Sequence, residues 1–117
     1  MPKVSCIIPT HGRPEHLKNS LACLLAQTLP PSEIIVVDDI DDPRTATLVE
    51  MTARRVDVPI RRIVNRAYPG ASGSRNAGAL AATSEIVAFL DDDDQWKPDY
   101  LARAIETFAT TLSLIHI

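Results

Sequence analysis

Apolar residues fall into short blocks along the chain, and a polar cluster follows almost every block. Val4-Ser5-Cys6-Ile7-Ile8 is a β-prone run that stops at Pro9, whose missing N–H is expected to end the ladder there. Ile34-Ile35-Val36-Val37 and Glu85 to Leu90 are nearly continuous apolar runs without alternation. Such runs suit strands buried on both faces, as in parallel sheets. Between the first two strands, Leu17, Leu21, Leu24 and Leu25 recur at helical spacing. Pro14 suits the first turn of that helix, and Pro30-Pro31 ends it. Pro43 opens a second helix with Ala46, Val49, Ala53 and Val56 on one face. Ile60 to Val64 is a third strand, and its Arg61 and Arg62 place it near a sheet edge. A loop, Tyr68 to Gly73, precedes an Ala-rich helix from Ala77 to Ala82 whose small side chains allow close packing. Lys97-Pro98 starts a fourth helix carrying Leu101, Ile105 and Phe108, and Leu112 to Ile117 is either a fifth strand or a frayed tail.

Alternation of strands and helices in this order predicts an α/β fold, a mainly parallel sheet with helices on both faces. Charge and cysteine content then remove several functions. The 12 Lys+Arg against 15 Asp+Glu give a formal net charge of −3, which argues against a nucleic-acid binder. The 2 cysteines, Cys6 and Cys23, form no CxxC and read as buried, inert thiols. No apolar run approaches the ~18 residues of a membrane span or the pattern of a signal peptide, so the expectation is a soluble, cytoplasmic protein. A place of work at the inner face of the membrane stays open. The length of 117 residues fits one small domain or a piece of a larger one.

Ligands of open parallel sheets bind at the carboxyl ends of the strands. Three polar clusters fall there: Pro9-Thr10-His11, Asp38-Asp39 and Asp91-Asp92-Asp93-Asp94. Four adjacent carboxylates repel one another, and a hard divalent cation such as Mg²⁺ or Mn²⁺ relieves that repulsion through oxygen ligation. The other reading is a solvated acidic turn that caps the following helix. Asp38-Asp39 fits either a hydrogen bond to a ribose or base, or a helix cap. Gly70-x-x-Gly73 with Arg75 offers amide donors and a cation to phosphates, but it matches neither GxGxxG nor the P-loop pattern. His11, His16 and His116 have no metal-ligand spacing and read as structural, and no Ser-His-Asp order supports a hydrolase. Trp96 either walls a pocket or packs under the fourth helix.

Five segments in register resemble a known family. They are Val4 to Thr10, Leu24 to Thr28, Glu33 to Asp39, Gly70 to Gly78 and Phe89 to Asp99. Together they are similar to the nucleotide-binding half of family 2 glycosyltransferases, over residues 3 to 109. The resemblance implies a Rossmann-like GT-A half and a donor that is a nucleotide diphosphate sugar (UDP-, GDP- or dTDP-). Pro9, Thr10 and Asp39 would meet the base, with Asp38 nearby, and Arg75 would lie against base or diphosphate. Asp91 and Asp93 match the family's DxD acids. Asp93 would ligate Mn²⁺ or Mg²⁺, and Asp91 would lie near the ribose. Asp92 or Asp94 could take these roles, because a run of acids leaves the register open.

Two departures stand out. Ile40-Asp41 occupy the place where the family often has Gly-Ser, which bears on the turn and the choice of base. Family members are also longer, and their second half supplies the acceptor site and the carboxylate base of the inverting reaction. Residues 1–117 are therefore expected to be a single, truncated nucleotide-binding domain with an unknown acceptor. The uncovered apolar edge of such a piece implies self-association. The competing readings are a non-catalytic nucleotide- or metal-binding module, and a receiver-type domain disfavoured by the missing Lys after a fifth strand.

Overall fold

A computed structural model describes residues 3–66 and 70–109. The elements alternate as β1 (Val4–Thr10), α1 (Pro14–Leu25), β2 (Glu33–Asp38), α2 (Pro43–Ala53), β3 (Ile60–Val64), α3 (Ala71–Ala81), β4 (Ile86–Phe89) and α4 (Tyr100–Ala109). All pairings are parallel, in the order β3-β2-β1-β4. This is a Rossmann-like sheet with β3 at an edge, as its arginines implied. The chain steps from β1 to β2 to β3 and then returns past β1 to β4. The direction reverses between β1 and β4, which is where open α/β sheets form a binding crevice.

Alternating strand positions feed two apolar layers. Cys6, Ile8, Ile34, Val36 and Ala88 join Leu17 and Leu21 of α1, Val49 of α2, and Leu101 and Ile105 of α4. Ile7, Ile35 and Val37 face the other way, against Ala77 and Ala81 of α3. These strand residues are fully buried, each contributing about 1.5–3 kcal/mol for its larger aliphatic side chains. Burial also pushes the Cys6 thiol up to about 12, in keeping with an inert core residue.

Four local expectations need correction. Pro9 does not end β1: it pairs with Val37 and the strand runs on to Thr10. Strand residues alternate the side to which they hydrogen-bond. The Ile7 carbonyl faces β4, where it accepts from the Leu90 N–H, and the Thr10 carbonyl faces β2, where it accepts from the Asp39 N–H. Pro9 shares the side of Ile7, so its missing donor ends only the ladder to β4. The third helix begins at Ala71, not Ala77, because Gly70 takes a φ of 99° that glycine adopts without penalty and so turns the chain into it. Tyr68 and Pro69 of the expected loop lie outside the described residues. The buried face of α2 is Thr45 and Val49, and Val56 lies beyond its end at Ala53. The fourth helix starts at Tyr100, not Lys97. The carbonyls of Lys97 and Pro98 are bound instead by Gln27 Nε2 and the Thr28 N–H, and Gln27 Oε1 accepts the Leu101 N–H. The Phe108 side chain and the stretch 112–117 lie outside the described part.

Among the described residues, no helix is long and apolar enough to cross a membrane.

Candidate functional site

The carboxyl ends of β1, β2 and β4 and the start of α3 surround a cleft of about 630 Å³. That is the size of a small-molecule site. Pro9, Thr10, Asp39, Arg75, Asp91, Asp92 and Asp93 all line it. Residues far apart in sequence thus meet at one rim, as the strand-end argument required.

Asp39 sits just past β2. Its carboxylate accepts from His11 Nδ1 at 2.9 Å, from Asn65 Nδ2 at 3.2 Å and from the Gly70 N–H at 3.1 Å. Burial pushes its pKa up, but these donors and the adjacent His11 outweigh burial and hold it below the usual carboxylate range. Asp39 is therefore an ionised acceptor at neutral pH. His11 has a 67% exposed side chain and lines the cleft beside Asp39. Asn65 also donates to Ser74 Oγ at 3.2 Å, tying the end of β3 to α3.

Asp38 does not join the cleft. It is fully buried, its oxygens accept the N–H groups of Ile40 (3.1 Å) and Asp42 (2.8 Å), and Arg62 pairs with it at 3.0 Å. It shapes the turn into α2, so its expected place beside the nucleotide is corrected to a structural one. The physical reason is strand alternation, which turns adjacent side chains to opposite faces. In the same turn Asp41 has a φ of 53°, a conformation that Asp tolerates better than most residues, and its carboxylate meets Arg62 at 3.1 Å. Ile40-Asp41 thus make a turn without glycine.

The acidic run is itself a turn, closed by the Asp94 N–H donating to the Asp91 carbonyl at 3.0 Å. Its four side chains have different surroundings. Asp92 is 1% exposed, and its carboxylate accepts from Arg13 (2.5 and 3.2 Å) and from Thr10 Oγ1 (3.0 Å). These bonds use both carboxylate oxygens of Asp92, which forms part of the cleft wall. Asp91 is half-exposed and accepts from Arg75 Nη2 at 2.8 Å. Asp91, Asp93 and Asp94 each offer an oxygen, and these oxygens lie within 4.8 Å of one another. An all-carboxylate oxygen set fits a hard cation such as Mg²⁺ or Mn²⁺.

Trp96 stays out of the cleft. It stacks on Tyr100 with ring centroids 4.4 Å apart and packs against the core. Gly73 lies inside α3, so the glycine pair brackets the start of that helix. Arg13, Asn65 and Ser74 were not legible as site residues. The one available signal was that Arg13 lies in the short connection between β1 and α1.

The sequence profile described as glycosyl transferase family 2 matches residues 5–115. The chain belongs to that family. An uncharacterized glycosyltransferase from Nostoc sp. is 38% identical over 93% of this chain and 34% of its own length. The GalNAc(5)-diNAcBac-PP-undecaprenol beta-1,3-glucosyltransferase of Campylobacter jejuni is 36% identical over 81% of this chain and 31% of its own. Among solved structures, a mannosyltransferase from Pyrobaculum calidifontis in complex with GDP-Man and Mn²⁺ matches with a TM-score of 0.83 and 28% identity, over 92% of this chain and 32% of that one. S. aureus TarS in complex with UDP-GlcNAc gives 0.74 and 27%, over 92% and 31%. The chain thus spans about a third of the length of these proteins. The fold is the family's GT-A fold, and Asp91-Asp92-Asp93 fits its DxD motif.

Proposed function

We propose that this chain binds a nucleoside diphosphate sugar together with Mn²⁺ or Mg²⁺, as the donor-binding part of an inverting glycosyltransferase. The observation that carries the reading is the meeting of Asp39, Arg75 and the Asp91–Asp94 turn in one cleft. Each suits a different part of the donor. The ionised Asp39 accepts an imide or amine N–H of the base, beside Pro9 and Thr10. The Arg75 guanidinium faces the diphosphate, and Asp91 and Asp93 hold the cation. The bound GDP-Man with Mn²⁺ and the bound UDP-GlcNAc in the solved relatives support the donor class.

In the transfer, an acceptor hydroxyl attacks the anomeric carbon opposite the diphosphate. The bond from that carbon to the phosphate oxygen breaks, and its electron pair leaves with the nucleoside diphosphate. When bound, the cation supplies Lewis-acid neutralisation of that departing charge. Arg75 adds positive charge at the same end, and Thr10 and Arg13 keep Asp92 buried beneath it. The proton of the acceptor passes to a base for which no described residue is assigned.

Titration calorimetry with UDP, GDP and dTDP in Mn²⁺ tests the reading and selects the base. One nucleotide is expected to bind with 1:1 stoichiometry. No heat from any of the three, on protein shown to be folded, overturns it.

A further inference from the structure

We propose that Arg13 is a positioning residue for the metal-binding acids, acting through Asp92. The proposal rests on the reading that Asp91 and Asp93 hold a divalent cation.

The geometry is that of a clamp. Arg13 directly precedes α1 and grips Asp92 fork on fork, with Nη2 at 2.5 Å from Oδ1 and Nε at 3.2 Å from Oδ2. Thr10 Oγ1 adds a third bond at 3.0 Å. Both carboxylate oxygens of Asp92 are thereby used, and the side chain is withdrawn from solvent. Within a four-residue turn, drawing the second side chain inward leaves the other three to converge outside, and Asp91, Asp93 and Asp94 do so. The clamp therefore selects which acids of the run are available to a cation, which composition alone leaves open.

Helix α1 extends the grip. Ser20 Oγ donates to the Asp92 carbonyl at 2.8 Å, and Cys23 Sγ accepts the Trp96 N–H at 2.9 Å. Gln27 Nε2 donates to the Lys97 carbonyl at 2.8 Å. Ser20 and Cys23 lie three apart on one side of α1, and Gln27 follows just past its end. This seam holds the segment 91–97 from end to end, and the core behind Leu17, Leu21 and Leu24 keeps the seam rigid.

Charge alone makes the opposite forecast. Arg13 is a cation beside an acidic cluster, so removing it should favour a second cation by Coulomb's law. If positioning governs, removing it weakens the metal. The sign of the change therefore separates the two.

The test measures Mn²⁺ binding to the full chain, from the electron paramagnetic resonance signal of the free ion, with UDP and with GDP present. Wild type, Arg13→Gln and Arg13→Lys are compared, with thermal unfolding followed in parallel. Arg13→Gln is expected to weaken Mn²⁺ about tenfold, as loss of a partner that orients metal ligands does. Arg13→Lys should recover only part, because an ammonium cannot reproduce the two-pronged grip. Equal or tighter Mn²⁺ binding by folded Arg13→Gln overturns the proposal. Should that variant not fold, Arg13→Lys decides: weaker Mn²⁺ binding supports the clamp and unchanged or tighter binding overturns it. A folded wild type that binds no Mn²⁺ with either nucleotide fails earlier, at the function itself, and takes the clamp with it.

Discussion

Gly78 of α3 lies so close to Ile7 of β1 that a Cβ built on it would stand 2.3 Å from Ile7 Cγ2 and 3.1 Å from Val37 Cγ2. Only hydrogen fits there. The contact seats α3 flat on the sheet, and this seating carries Gly70, Ser74 and Arg75 to the cleft.

Gly78→Ala is therefore expected to destabilise the fold although alanine is the better helix former. Overpacking a tight core costs about 1–3 kcal/mol, against a helix-propensity gain of about 1 kcal/mol. Ile7 is fully buried and cannot swing aside, so overpacking wins. Thermal unfolding should show a lower midpoint for Gly78→Ala. An unchanged or raised midpoint would mean that α3 shifts freely on the sheet.

Glu33 staples the opposite end of the sheet. Its Oε2 accepts from Ser5 Oγ at 2.5 Å and from the Thr83 N–H and Oγ1 at 2.8 Å each. Burial pushes its pKa up, but those donors and Arg61 outweigh burial, and the carboxyl sits below its ordinary value. Glu33→Ala takes this acceptor from the buried Ser5 hydroxyl, while the exposed Thr83 turns to water, and should cost about 1 kcal/mol at pH 7. The folded pKa is depressed, so this contribution is complete above the unfolded value of about 4.3 and fades as pH falls through the folded one. Urea unfolding should show the gap between wild type and Glu33→Ala narrowing as pH is lowered from 5 to 3. A gap that stays constant or widens would contradict the staple.

Asp39 and Asp93 should fail in different ways. Asp39→Ala removes a charged acceptor for the base, so nucleotide affinity should fall by about 1.5–3 kcal/mol while Mn²⁺ still enhances binding. Asp93→Ala removes a donor from the oxygen cluster, so the Mn²⁺ enhancement itself should vanish. Calorimetry of both variants, with and without Mn²⁺, checks the pair. Full Mn²⁺ enhancement in Asp93→Ala would place the cation on other acids of the run.

Much of this was legible along the chain because two signals are local. Continuous apolar runs such as Ile34 to Val37 mark strands buried on both faces, and the acids that follow them mark the rim. Pro14 and Pro43 sit where helices α1 and α2 begin. What stayed hidden depends on direction and distance. Pro9 reads as a stop because the side to which its missing N–H would point is set by the sheet order. Asp38 and Asp39 look equivalent in sequence, yet strand alternation sends one into the turn and the other into the cleft. The four aspartates are chemically identical, and it is their partners that tell them apart: Arg13, Thr10 and Ser20, some 70 to 80 residues earlier, for Asp92, and Arg75 for Asp91. Helix α3 began earlier than its alanines suggested, because packing on the sheet overrode the low helix propensity of Gly73.

The most direct test of the central claim is amide NMR of the nucleotide-bound chain with a trace of Mn²⁺, whose paramagnetism broadens nearby signals. Broadening should be confined to the rim, the Asp91–Asp94 turn with Arg75 and the Thr10–Arg13 segment, and should spare Glu33 and Thr83 at the far end of the sheet. Broadening centred away from the acidic turn, or none at saturating nucleotide, would contradict a metal–diphosphate site in this cleft.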